Sequence, residues 1–190
     1  MPTSSNVYTS AIHLLHQGNI IAYPTEAVYG LGCDPLNEVA VLRLLELKKR
    51  AMRKGLILIA AQVEQLESYI DTTQIVPEHM RQILTNWPGP FTWVFPATPK
   101  VPPWVRGEHT TVAVRVTAHP LAHALCAQFG RPLISTSANL ADQAPAKTKE
   151  EVETLFPQGI SLIMEGSLGG LANPTEIRDA RSGELIRRSN

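Results

Sequence analysis

One α/β domain, built on a twisted, mixed parallel and antiparallel sheet with flanking helices, is what the 190-residue sequence predicts. Short apolar runs bounded by glycine and proline read as buried strands. Segments with apolar residues at helical spacing lie between them, and the two kinds interleave without the strict rhythm of an all-parallel sheet. The length suits one domain, taken as residues 1–190 with a core over about 8–188.

Val7, Ala11, Leu14 and Leu15 mark a first helix, which Gly18 closes. Residues 20–23 form a strand stopped by Pro24. The stretch 24–34 then reads as a turn holding Thr25, Glu26, Tyr29 and two glycines, placed at a strand end where ligand contacts gather. Asn37 caps a helix carrying Val41, Leu42, Leu44 and Leu45. The run 56–60 is apolar on both faces and belongs at the centre of the sheet. A helical surface segment is expected across Glu64, Glu67 and Asp71, and Pro77 opens another helix reaching about Thr85. Trp87-Pro88-Gly89-Pro90 turns the chain into a strand over 91–95, with Trp87 expected to pack. The proline-rich stretch 96–109, holding Trp104 and Arg106, has the form of a lid or binding loop.

Val112, Val114 and Val116 alternate with Ala113 and Arg115, so Arg115 is aimed off a strand opposite a valine face. That geometry suits a grip on a carboxylate or phosphate; a salt bridge across the sheet is the competing role. Thr117 or His119 starts a helix through Leu121, Leu125 and Phe129, ended by Gly130. A strand over 132–134 delivers Ser135-Thr136-Ser137-Ala138-Asn139, whose hydroxyls and amides suit anionic oxygens, although Ser/Thr turns use the same residues. Thr148-Lys149-Glu150-Glu151 has capping-box form for a helix ending near Phe156. A strand over 160–164 and a hairpin about Ser182-Gly183 complete the chain.

Seventeen basic and seventeen acidic residues cancel, so no whole-molecule field draws the chain to nucleic acid or membrane, and any anion site is local. The local candidate is the basic run 48–54, Lys48-Lys49-Arg50-Ala51-Met52-Arg53-Lys54. It is either a solvated helix end complementing the dipole or a phosphate site. Cys33 and Cys126 lie outside any metal-ligand spacing and fit a reduced, cytoplasmic compartment better than a disulfide framework. No apolar run approaches a membrane span, and the N-terminus lacks the form of a secretory signal. Gly30-Leu31-Gly32 lacks the third glycine of a dinucleotide fingerprint, and no Walker sequence occurs.

Several blocks together carry a resemblance: residues 24–32 (Pro-Thr-Glu-Ala-Val-Tyr-Gly-Leu-Gly), Lys48 to Arg50, Lys54-Gly55-Leu56-Ile57, Trp87-Pro88-Gly89-Pro90, Ala113-Val114-Arg115-Val116, residues 135–139, and Glu176-Ile177-Arg178-Asp179. In order and spacing they resemble the YrdC/TsaC family of threonylcarbamoyl-AMP synthases, in its short, single-domain form. The resemblance implies a YrdC-like fold and a nucleotidyltransferase. L-Threonine, bicarbonate or CO2, and ATP would give L-threonylcarbamoyladenylate and pyrophosphate. It further implies Mg²⁺ with the ATP but no dedicated protein metal site, and a downstream TsaB/TsaD/TsaE-type transferase complex modifying adenosine 37 of tRNAs that read ANN codons. A concave basic surface suited to RNA belongs to the same implication.

Position by position, the family pattern places Thr25, Arg115, the backbone at Ser135, and Thr175 on the threonine, with Arg115 on its carboxylate. It places Lys48, Arg50, Lys54, Ser137, Asn139 and Arg187 on the ATP, and makes Lys48, Arg50 and Arg115 the catalytic group. Ile59 stands where longer relatives have a histidine near threonine, and Pro145 where some have a nucleotide-contacting serine. Asn173-Pro174-Thr175-Glu176 departs from the family's commoner Ser-Thr-Val-Val-Asp. Two other readings share the cations. A nucleic-acid-binding module would use residues 48–54 with Arg106, Arg115 and Arg187, against which the zero net charge speaks. A carbamoyl-phosphate-handling protein would share the anion site without any dependence on threonine.

Overall fold

The computed structural model describes residues 4–141 and 143–189. Helix α1 (Ser4–His16) leads into strand β1 (Ile21–Pro24) and, through a tight turn, strand β2 (Tyr29–Gly32). Helix α2 (Glu38–Leu47) and strand β3 (Ile57–Ala60) follow, then helix α3 (Pro77–Asn86), strand β4 (Phe91–Pro96), the short helix α4 (Pro103–Arg106) and strand β5 (Thr111–Val116). Helix α5 (Pro120–Phe129), strand β6 (Leu133–Ser137), helix α6 (Lys149–Leu155) and strands β7 (Leu162–Ile163), β8 (Glu176–Asp179) and β9 (Leu185–Arg187) complete the fold.

The strands form one nine-stranded sheet in the order β7-β1-β2-β6-β3-β5-β4-β8-β9. The pairs β1 with β7, β3 with β5, and β4 with β8 are parallel, and the other five are antiparallel. β3 stands at the centre, as its two-sided apolar pattern requires. Side-chain alternation sorts the core into two layers. Leu58, Ala60, Val112, Val114 and Val116 face the layer that holds Val41 and Leu44 of α2 and Ile83 of α3. Ile21, Tyr23, Ile59 and Leu133 face the layer that holds Ala11 and Leu15 of α1 and Leu125 and Phe129 of α5.

Helix ends follow local chemistry. Gly18 takes φ 77°, and the amides of Gly18 and Asn19 return to the carbonyl oxygens of Leu15 and Leu14, closing α1 in a Schellman arrangement. Asn37 Oδ1 accepts from the Ala40 amide at 3.0 Å to start α2. Thr117 and His119 share the start of α5: Thr117 Oγ1 accepts from the His119 amide, and His119 Nδ1 accepts from that of Ala122. Thr148 Oγ1 accepts from the Glu151 amide, whereas Glu151 Oε2 reaches one residue past the cap to the Lys147 amide.

Four expectations are corrected. Residues 29–32 are a strand rather than part of a turn, because their backbone pairs with β1 on one side and β6 on the other. Residues 135–137 likewise lie inside β6 instead of beyond a strand ending at 134. The helical segment expected across Glu64, Glu67 and Asp71 is a single 3₁₀ turn, Val63–Gln65. The stretch 96–109, expected to be without regular structure, contains helix α4 and is docked on the core, with Arg106 and His109 lining a cavity. Val101 and Val105 are buried, Trp104 Nε1 donates to the Pro35 carbonyl oxygen, and the Leu56 amide donates to that of Val105. Trp87 packs as expected, stacked 6.1 Å from Phe95. Cys33 and Cys126 are free, and burial pushes both thiols up, Cys126 to about 12, so neither is a ready nucleophile. Among the described residues no helix is long and apolar enough to cross a membrane.

Candidate active site

Strand register gathers the site. Gly30 lies opposite Ser137, Ile57 opposite Ser135, and Ile59 opposite Arg115, so these side chains share one face of four adjacent strands. Small residues leave room there. A Cβ on Gly30 would stand 3.1 Å from Thr25 Cγ2 and 3.3 Å from Ser135 Oγ. One on Gly32 would meet the Tyr23 hydroxyl at 2.8 Å and the Ile134 carbonyl oxygen at 2.6 Å. The Gly-x-Gly fragment is therefore a pair of strand positions kept bare for close packing, not a phosphate loop. The result is a cavity of about 150 Å³ whose wall includes Thr25, Arg50, Arg115, Ser135, Ser137 and Thr175, with Arg187 at its edge.

Arg115 is buried and held from several sides. Its Nη1 donates to Thr175 Oγ1 at 2.9 Å and to Thr92 Oγ1 at 3.2 Å, and its Nη2 lies 3.4 Å from Glu26 Oε2. The salt bridge posed as the competing role is present, to Glu26, and the same side chain lines the cavity. Burial opposes the Glu26 charge, but the Arg115 guanidinium and the Thr117 hydroxyl outweigh it and hold the carboxyl below its usual range. Arg187 is pulled down by burial and by the guanidiniums of Arg115 and Arg50, and Arg50 is pulled down by burial. Among the described residues these three guanidiniums make one salt bridge, Arg115 to Glu26. The Nε groups of Arg50 and Arg115 are buried without a hydrogen-bond partner. Crowded like charges with spare buried donors are the signature of a site for anions.

A second cavity of about 330 Å³ adjoins the first and shares Arg50, Leu56, Ile57 and Arg187 with it. Lys54 and Arg106 also line it, and Val94, Ile177 and Ile186 add apolar surface. Lys48 and Asn139 are placed differently, behind the wall of both cavities. Lys48 is 3% exposed, and its Nζ donates to the carbonyl oxygens of Ser137 and Asn139 at 2.5 and 2.6 Å. Burial and the nearby Arg50 charge lower its ammonium to about 8. Ser137 Oγ in turn donates to Asn139 Oδ1. Ile59 is fully buried under α5, and Pro145 lines a separate surface groove near α6. Sequence reasoning placed Glu26 in the turn after the first strand and Thr117 at a helix start, but gave neither a contact with Arg115, and gave Thr92 no role. Thr92 reaches the site through the pairing of β4 with β8, and Thr117 from just past the end of β5, where its hydroxyl meets Glu26.

Among the described residues no group of three or more His, Cys, Asp and Glu side chains could hold a metal ion. The polar side chains lining the first cavity are hydroxyls and guanidiniums, with no carboxylate among them, and the nearby Glu26 is engaged with Arg115 and Thr117. The residues present therefore do not fit a resident Mg²⁺.

The sheet thus carries two adjoining cavities that share Arg50 and Arg187, the architecture of an α/β protein with its candidate site on one face of the sheet. The chain belongs to the Sua5/YciO/YrdC family, whose model, described as telomere recombination, matches residues 13–189. The threonylcarbamoyl-AMP synthase of Xanthomonas oryzae pv. oryzae (strain PXO99A) is 49% identical over 178 residues, covering 94% of this chain and 95% of that one. The protein of the same name from Xylella fastidiosa (strain 9a5c) is 49% identical over 179 residues, covering 94% and 96%. The crystal structure of P. abyssi Sua5 complexed with L-threonine superposes with a TM-score of 0.87 at 33% identity, over 95% of this chain and 53% of that one, so this chain spans about half of Sua5. E. coli YciO superposes with a TM-score of 0.84 at 25% identity, covering 97% of this chain and 90% of that one.

Proposed function

We infer that this chain is a threonylcarbamoyl-AMP synthase, joining L-threonine, bicarbonate or CO2, and ATP into L-threonylcarbamoyladenylate with release of pyrophosphate. The observation that carries the reading is the convergence of Arg50, Arg115 and Arg187 on one cavity with a single carboxylate among their partners. The names of the similar proteins from Xanthomonas and Xylella support it.

Arg115 takes the amino-acid carboxylate through its unspent N–H groups, and the hydroxyls of Thr25 and Ser135 face the rest of the small substrate. Arg50, Lys54 and Arg187 receive the triphosphate, and the apolar surface of the second cavity suits a purine ring. The threonine amine captures carbon dioxide as a carbamate. A carbamate oxygen then attacks the α-phosphorus, and pyrophosphate leaves with the electron pair of the broken P–O bond. No covalent enzyme intermediate is required, because the chemistry consists of placing two anions in line and absorbing charge as it shifts. Mg²⁺ arrives as the counter-ion of ATP; the chain supplies cations and hydroxyls. Lys49, Arg53 and Lys54, all exposed, offer a basic surface for tRNA contact, and the adenylate passes to a downstream threonylcarbamoyl transferase complex that modifies tRNA.

Incubation with ATP, L-threonine and ¹³C-bicarbonate tests the reading by mass spectrometry. An adenylate carrying the heavy carbon and the threonine is expected. Formation of ADP or AMP with no labelled adenylate would overturn it.

A further inference from the structure

Glu26 is buried behind Arg115, outside the wall of the cavity, and uses its two oxygens differently. Oε1 accepts from Thr117 Oγ1 at 2.6 Å. Oε2 faces Arg115 Nη2 at 3.4 Å and has no hydrogen-bond partner. The guanidinium is thus fixed by charge from one side and by the hydroxyls of Thr92 and Thr175 from another, while its Nε–H stays unspent. A buried arginine without a counter-charge is costly, and an ion pair at this distance offsets that cost without taking up the N–H groups a ligand needs.

The position of Glu26 is itself determined. The amides of Gly169 and Leu171 donate to the carbonyl oxygens of Thr25 and Glu26, both at 3.0 Å, so the segment 167–171 lies as a strap over the turn. A side chain at Gly169 would come within 2.9 Å of Glu26 Cα. His119 Nε2 holds the start of the strap, 2.9 Å from the Ser167 carbonyl oxygen.

We propose that Glu26 is the positioning residue of the substrate-binding arginine: steadied by Thr117 and covered by the strap 167–171, it sets the direction in which Arg115 presents its free N–H groups to the amino-acid carboxylate. The inference rests on the threonine reading of the cavity given above. It makes Glu26 act through Arg115 rather than on the substrate, and through the amino-acid half of the site alone.

Steady-state pyrophosphate release by Glu26→Gln, Glu26→Asp, Thr117→Val, Arg115→Ala and the Glu26→Gln/Arg115→Ala pair tests it, with melting curves for each. Gln keeps the size and the acceptor for Thr117 while removing the charge. The kcat/KM for threonine is expected to fall about thirtyfold in Glu26→Gln while the KM for ATP stays within about twofold. Aspartate should recover several-fold of the loss, and Thr117→Val should lose about fivefold in the same direction. In the Arg115→Ala background the Glu26→Gln change should cost nothing more, because residues that act as a unit are not additive. A Glu26→Gln enzyme within threefold of wild type, or a loss that adds in full to that of Arg115→Ala, would overturn the proposal. Should Glu26→Gln not fold, Thr117→Val alone and paired with Arg115→Ala is read the same way. The two readings fail separately: absence of threonine-dependent release by wild type overturns the substrate, and normal release with an unaffected Glu26→Gln overturns only the role of Glu26.

Discussion

The Lys48 ammonium at the end of α2 donates to the Asn139 carbonyl oxygen 2.6 Å away, fastening the basic run to the far end of β6. Lys48 thereby shapes the cradle from behind. Replacing it with Met leaves the Ser137 and Asn139 carbonyls without their donor, a loss that removal of the buried charge offsets only in part. Lys48→Met should melt several degrees lower and lose at least about tenfold in kcat. Melting curves and initial rates check both.

The same residue gives a pH dependence. Burial and the Arg50 charge lower Lys48 to about 8, so its proton is held less firmly in the folded chain than in the unfolded one. Below about 8 the buried charge costs stability; as pH rises from there toward the usual lysine value, that cost is relieved. Activity should move the other way, with kcat/KM falling as pH rises through about 8 and the ammonium loses its hold. The descending limb in kcat should lie higher, since bound phosphates offset the push from Arg50. Rate–pH profiles decide this, and a kcat/KM that is flat through pH 8 would remove Lys48 from the account.

Gly30→Ala places a methyl between Thr25 and Ser135, at 3.1 and 3.3 Å from their nearest atoms. The neighbours must yield by a few tenths of an ångström in the amino-acid half of the site. The KM for threonine should rise about tenfold with the KM for ATP nearly unchanged, which steady-state kinetics in each substrate would show.

Arg50→Ala should act on the other substrate, raising the KM for ATP by about tenfold or more through loss of a charge-assisted contact. Its effect on folding should be small. The lost hydrogen bond from Arg50 Nη2 to the Gly55 carbonyl oxygen is offset by relief of the repulsion that Arg187 feels. A melting temperature several degrees below wild type would contradict this.

The helices and their caps were legible because Asn37, Gly18, Gly130 and Thr148 act on neighbouring residues. The central place of β3 and the aim of Arg115 were legible from alternation. Strand β2 was not. Its four residues include two glycines, which lower strand propensity, and only pairing on both sides makes them a strand. The stretch 96–109 read as a lid or binding loop; its docking was hidden because proline and polarity mask what Trp104 and Val105 reach in the core. Lys48 and Arg50 sit two positions apart in one basic run, yet one turns to buried carbonyls and the other to the cavity. Sequence offers no local signal for that division, nor for the partnership of Glu26 with Arg115, which strand pairing and the turn after β1 create.

Arg115 is assigned to the amino acid whose presence makes the enzyme cleave ATP. Pyrophosphate release from ATP and bicarbonate, measured with and without L-threonine for wild type and Arg115→Ala, tests it most directly. Release should require threonine and fall by about a hundredfold or more in the variant. Release that ignores threonine, or an Arg115→Ala enzyme as active as wild type, would contradict the account.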